Sequence, residues 1–217
     1  MIIDLHLKKK EVVVVGGGRE AVRKIDALLT QDCRITVIAG KIDSDILQLA
    51  DEQKVFLRWE NIENGDSLRE FEDLILVIAA TDNAFLNREL VAAAKKVPCY
   101  AYAVDDPEFS DFSHPAVINL YDTVQIAVST GGKSPLMAGK ICKRAEPVFK
   151  DLIKKEDILQ IRLQEKLRKI AKEKIGGAEA RKHYLVAVFK DEEIRQLLAQ
   201  DKVVEAESAA LRKLEDA

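Results

Sequence analysis

Apolar residues are spaced along the first hundred positions in two alternating ways. Val12 to Val15 and Leu74 to Ala80 are apolar throughout, as strands buried on both faces require. Arg34–Ile38, Val55–Trp59 and Pro98–Val104 are further strand-like runs. Between them apolar residues recur at helical spacing: Ala21, Val22, Ile25, Leu28 and Leu29, then Ile46, Leu47 and Leu49 within 44–53, then Leu86, Leu90, Val91 and Ala94. Asn64-Gly65-Asp66 marks a turn. Strands alternating with helices predict a mainly parallel sheet, covered on both faces, with strand order 3-2-1-4-5.

The pattern changes near residue 113. Val117–Leu120 and Thr123–Val128 are strand-like and separated only by Tyr121-Asp122. A hairpin is expected there, although Tyr-Asp is not a favoured turn pair. Ser134 is placed to cap a following helix, with Pro135 at its first position. From about 151 the chain reads as charged helices. Ile158, Ile161, Leu163, Leu167 and Ile170 mark one, and Gly176-Gly177 ends it; Tyr184, Leu185 and Val188 mark another. Asp191 caps a third and 203–214 form a fourth. The expected fold is α/β: a Rossmann-like domain over 1–112, a small α+β middle segment with a dimerisation role over 113–150, and a helical C-terminal domain over 151–217.

Composition narrows the class. The 217 residues are 47% hydrophobic and 33% charged, with a net charge of −3. Nothing at whole-chain level points to nucleic acid or to an anionic membrane surface. No apolar stretch is long enough to span a bilayer, and the N-terminus lacks the basic start and apolar core of a signal peptide. Cys33, Cys99 and Cys142 are odd in number and widely spaced. They read as reduced thiols of a cytoplasmic protein, not as a disulfide frame or a zinc site.

The candidate chemistry begins where the valine run stops. Gly16-Gly17-Gly18-Arg19-Glu20-Ala21 fits G-x-G-x-x-G/A, the dinucleotide-binding turn. Gly16 can make the tight turn, Gly18 admits a pyrophosphate, and Ala21 lets the helix pack close to the strand. The helix N-terminus then offers unpaired amides to the phosphates. The second strand ends at Ala39-Gly40-Lys41, without the usual acidic residue for a ribose 2′-hydroxyl. Lys41 could even favour a 2′-phosphate, so these residues point to a dinucleotide without choosing between NAD and NADP. Ala80, Thr81 and Asn83 stand at the carboxyl edge of the fourth strand, where open α/β sheets bind ligands. Thr81 and Asp82 can equally serve as helix caps.

Taken together, these motifs resemble the precorrin-2 dehydrogenase family, the N-terminal module of siroheme synthases. Val13–Gly18 with Ala21 and Arg23-Lys24 is similar to its cofactor turn, and Val77–Asp82 with Asn87 to its fourth-strand motif. Val104–Pro107, Phe112 and Pro115–Ile118 resemble its substrate-side segment, and Ser129–Pro135 its S-[ST]-G-G-x-S-P signature. The resemblance covers residues 1 to about 150 and implies a homodimer performing NAD-dependent oxidation of precorrin-2 to sirohydrochlorin. Some members also insert ferrous iron. Asp105 matches the family aspartate tied to dehydrogenation and metal insertion; the plain alternative is a turn residue before Pro107. The substrate carries many carboxylates, so Thr130, Gly131, Lys133 and Ser134 are candidate substrate contacts. His114 is a further candidate, for a substrate carboxylate or for iron. No permanent metal site is expected, only transient iron at Asp105 or His114.

Two other readings compete. Ala127-x-x-x-x-Gly132-Lys133-Ser134 superficially mimics a P-loop, but Ala127 replaces its first glycine and Pro135 removes an N–H where phosphate needs donors. The alternative function is a non-catalytic module that binds or carries a dinucleotide or tetrapyrrole.

Overall fold

A computed structural model describes residues 2–215. The chain divides into two compact units, one reaching to His114 and the other beginning at Pro115. The first holds β1 (Glu11–Val15), α1 (Arg19–Leu29), β2 (Arg34–Ala39), α2 (Ser44–Asp51), β3 (Phe56–Trp59), β4 (Leu74–Ala79), α3 (Ala84–Ala94) and β5 (Tyr100–Ala103). All pairings in its five-stranded sheet are parallel, in the order β3-β2-β1-β4-β5. This is the Rossmann-like topology the alternation predicts.

The valine run explains why the sheet is covered on both faces. Val12 and Val14 pack with Ala21, Ile25 and Leu28 of α1, whereas Val13 and Val15 pack with Leu90, Val91 and Ala94 of α3. Side chains alternate along a strand, so one run supplies both cores. All four valines are essentially inaccessible, each contributing about 1.5 kcal/mol or more by burial. Glu11, which opens the strand, is buried but accepts a hydrogen bond from Thr36 Oγ1 at 2.8 Å and lies 3.5 Å from the Arg34 guanidinium.

The edges of the elements move slightly from the expected bounds. Val55 is buried ahead of β3, and Pro98 and Cys99 precede β5. Asn64 Oδ1 accepts from the Asp66 amide at 2.9 Å, making the predicted turn. A 3-10 turn over Asp66–Glu70 follows it.

The second unit opens with an antiparallel hairpin of β6 (Ala116–Leu120) and β7 (Val124–Val128). Tyr121 and Asp122 adopt φ of 56° and 50°, the mirror-image turn that β-twist favours but those residues do not. Contacts from outside the turn hold it: Arg162 donates to the Tyr121 carbonyl and Thr123 Oγ1, and Asn119 donates to Asp122. Then come α4 (Pro135–Leu152), α5 (Lys155–Lys174), α6 (Ala178–Lys190), α7 (Glu192–Ala199) and α8 (Val203–Glu215). Leu163, Leu167, Tyr184, Val188, Ile194 and Leu198 form the helical core. Ile161, expected on the apolar stripe of α5, points outward instead and is 44% exposed. Among the described residues no helix is long and apolar enough to cross a membrane.

Candidate dinucleotide and substrate site

The glycines after β1 do three different jobs. Gly16 sits at φ 120°, and a Cβ there would overlap the Ala80 carbonyl at the end of β4. Its amide donates to the Ile38 carbonyl at 2.9 Å. Gly17 packs as tightly: a Cβ would strike the Lys41 carbonyl, and its own carbonyl accepts from the Asp43 amide at 2.8 Å. Gly18 has nothing within 4 Å of its would-be Cβ. It is the N-cap of α1, and no side chain caps that end. α2, α3 and α4 differ: Asp43, Asn83 and Ser134 each accept from a first-turn amide. The first-turn amides of α1 therefore keep donors for an anion.

These glycines line a cleft of about 730 Å³, within the range of small-molecule and cofactor sites. Gly16, Gly17, Gly18, Arg19, Glu20, Ala39, Ala80, Thr81 and Asn83, all candidates from sequence, share its wall. Ala21 lies behind it, fully buried against the sheet. Sequence reasoning missed Asp43, Glu60 and Asn61, which line the same cleft. A Cβ at Gly40 would fall on the Asn61 side-chain oxygen. The signal available was the carboxyl-edge rule, which applies to β3 as it does to β4.

Asn87 joins the cleft to the candidate acid. It is fully buried on α3. Its Oδ1 accepts from Thr81 Oγ1 at 2.7 Å and from the Thr81 amide at 3.1 Å. Its Nδ2 donates to the Thr81 carbonyl at 3.1 Å and to Asp105 Oδ1 at 2.8 Å. One amide side chain thus fixes Thr81 at the end of β4 and Asp105 just after β5. Asp105 Oδ2 has no hydrogen-bond partner among the described residues and is free to act. Asp106, by contrast, is committed. It pairs with Arg88 at 2.7 Å and accepts from the Phe109 amide, and the Arg88 hydrogen bond holds its carboxyl below the usual range.

His114 stands in an aromatic group, 4.7 Å edge-on from Tyr102 and 5.3 Å from Phe112. Lys24 Nζ lies 4.6 Å above the Tyr102 ring, and burial lowers its pKa. Desolvation, with the Lys24 charge second, pushes the His114 pKa down to about 4, although the residue as a whole is exposed. At neutral pH the ring is uncharged. It can hydrogen-bond a carboxylate or offer a lone pair to iron, but it supplies no cation.

Thr130, Gly131, Lys133 and Ser134 belong to the second unit. Ser129 Oγ accepts from the Gly131 amide at 3.1 Å, Thr130 Oγ1 from the Ser134 amide at 3.0 Å, and Ser134 Oγ from the Met137 amide at 3.3 Å. The loop itself takes up the Gly131, Lys133 and Ser134 amides, which with Pro135 removes the resemblance to a P-loop. Lys133 is exposed. Among the described residues no group of three or more His, Cys, Asp or Glu side chains is placed to hold a metal ion.

A parallel β-α-β sheet with a glycine cradle and an uncapped helix start defines a nicotinamide-dinucleotide-binding Rossmann domain. Residues 3–116 match the family model described as putative NAD(P)-binding. The chain belongs to that family. It is 35% identical over 182 residues to the siroheme synthase of Methylococcus capsulatus, covering 84% of this chain and 36% of that protein. Against the siroheme synthase of Tolumonas auensis it is 29% identical, covering 93% of this chain and 41% of that one. The chain therefore spans well under half the length of these relatives. A solved structure, the precorrin-2 dehydrogenase SirC, shares the fold with a TM-score of 0.67 at 18% identity over the whole of both chains.

Proposed function

We propose that the protein catalyses NAD-dependent dehydrogenation of precorrin-2 to sirohydrochlorin. The observation that carries this reading is the Thr81–Asn87–Asp105 linkage, which holds a carboxylate beside the wall of a dinucleotide cleft. The uncapped amides of α1 take the pyrophosphate, and Gly18 lets it approach. NAD is the form expected, because Glu20, Asp43, Glu60 and Asp82 line the cleft beside Arg19 and Lys41, Glu60 being paired with Arg58, so the lining offers no excess of cations for a 2′-phosphate.

The dinucleotide supplies a hydride acceptor. The substrate loses a hydride to it and a proton to Asp105, whose free oxygen is kept in place by Asn87. His114 is a neutral hydrogen-bonding contact for a substrate carboxylate, and Lys133 a cationic one. Thr130, Gly131 and Ser134 shape the loop that presents Lys133. Ferrous iron, as a second substrate, has Asp105 and neutral His114 as available ligands.

The protein works as a cytoplasmic homodimer in this reading. Met137, Ile141, Val148 and Leu152 share one face of α4 and are 45%, 39%, 65% and 67% exposed, an apolar stripe that a second copy would cover.

Anaerobic turnover of precorrin-2 with NAD, with NADP or with neither tests the proposal, repeated with ferrous iron. NAD-dependent appearance of sirohydrochlorin is expected, as is its loss in Asp105→Ala with NAD affinity unchanged. Asn87→Ala should lower kcat about 10- to 100-fold by releasing the acid. Precorrin-2 binding without turnover would replace the enzyme by a carrier.

A further inference from the structure

The helical unit holds a cleft of about 550 Å³ between α5 and α6. Arg168 and Lys172 of α5 line it opposite Arg181 and Lys182 of α6, and no carboxylate is among its lining residues. In a chain of net charge −3, such a concentration of one sign in a concave surface is not the average surface. The cations are also uncommitted. Arg168, Lys172 and Lys182 have no ion-pair partner among the described residues, while the nearby Lys166 and Lys169 on α5 are paired with Glu207 and Glu165. Arg181 donates one hydrogen bond to the Ile175 carbonyl, which leaves its other donors available.

Two more features belong to the same cleft. Ala178, in the first turn of α6, lines it, and that helix start has no side-chain cap, so its amides add donors and partial positive charge. The wall itself is apolar: Leu185, Val186 and Phe189 contribute, the last two 40% and 58% exposed. A simple phosphate has no use for that wall, and an uncharged apolar ligand has none for four cations. The combination fits a rigid apolar body with several carboxylates at its rim.

We infer that the α5–α6 cleft is a second, non-catalytic binding site for an amphiphilic polycarboxylate of the tetrapyrrole class. The inference rests on the proposed function for its ligand class, and none of its residues takes part in the dinucleotide cleft. Such a site would retain product on the protein after the substrate contacts around Asp105 have released it.

Uroporphyrin, an unreactive octacarboxylate tetrapyrrole, is the probe, followed by fluorescence against the intact protein. A porphyrin with two carboxylates and an acidic peptide of equal charge serve as comparisons. The double variant Arg168→Glu/Lys172→Glu, both exposed on α5, should weaken uroporphyrin binding at least tenfold. It should leave NAD affinity and initial turnover unchanged. Phe189→Ala should weaken the same binding several-fold without altering its dependence on salt. Unchanged uroporphyrin affinity in both variants overturns the site. An acidic peptide that binds as tightly and displaces uroporphyrin makes this a protein-docking surface and also overturns it. If the variants lose uroporphyrin but the wild-type protein never oxidises precorrin-2, the cleft stands and the dehydrogenase reading falls. If precorrin-2 is turned over but uroporphyrin fails to bind the cleft, the reverse holds.

Discussion

Two loops in this chain run from a strand through adjacent glycines into a helix, and they end in opposite chemistry. After β1, Gly16 and Gly17 are packed against the neighbouring strand ends, and Gly18 leaves the start of α1 bare. After β7, Gly131 and Gly132 adopt φ of 60° and 79° with open space around them. There Ser129, Thr130 and Ser134 accept the amides of the loop and of α4. The first loop keeps its donors for a ligand, and the second spends them on its own shape. Glycine permits close approach; whether an anion site results depends on which side chains stand at the cap.

The largest test of this contrast is Gly18→Asp. The new Cβ meets no neighbour, and aspartate is a good N-cap. The fold should hold or gain slightly, while the carboxylate occupies the place of the pyrophosphate. Dinucleotide affinity should fall about 100-fold or more, ~3 kcal/mol, with Tm unchanged or slightly raised. Titration that matches the wild type would remove the first loop from the site. Ser134→Ala probes the other side. Loss of the cap on α4 should cost about 1 kcal/mol in denaturant unfolding and leave dinucleotide affinity alone; a weaker cofactor complex would mean the second loop holds the dinucleotide too.

The smallest effect concerns pH. Backbone amides do not titrate, so dinucleotide affinity should stay flat between pH 5 and 8. His114 lies outside both loops and should titrate near 4, read by NMR of the imidazole. Its folded pKa is below the ordinary 6.5, so the unfolded chain binds more protons in that interval. Its contribution favours the folded state above 6.5 and is lost as pH falls toward 4. The exposure of the residue keeps this under about 1 kcal/mol. A midpoint at 6.5 or above would mean the aromatic neighbours do not desolvate it.

Continuous apolar runs made the sheet legible. Val12–Val15 and Leu74–Ala79 carry side chains into both cores, so any other assignment would strand valines in water. The helix stripes and the Ser134 and Asp191 caps are local signals of the same kind. The tyrosine-aspartate turn was visible only as a spacing, because Arg162, some forty residues later, stabilises what local preference does not. The wall at Asn61 had only the carboxyl-edge rule to point to it. It lies in the polar stretch Glu60–Asn64, which has no periodicity, and its position depends on the absence of an atom at Gly40. The Asp105–Asn87 bond likewise joins residues that only the parallel crossing of β4 and β5 brings together.

The Asn61 side chain occupies the space that a side chain at Gly40 would need. An engineer who wants a different dinucleotide would start at the end of β2, the habitual place for a new arginine. Here that change drives a Cβ into Asn61 and displaces a wall residue as well as adding charge. The exposed Asn61 side chain must swing aside to admit it, so a library at residue 40 reads two changes at once, and varying residue 61 alongside it separates them.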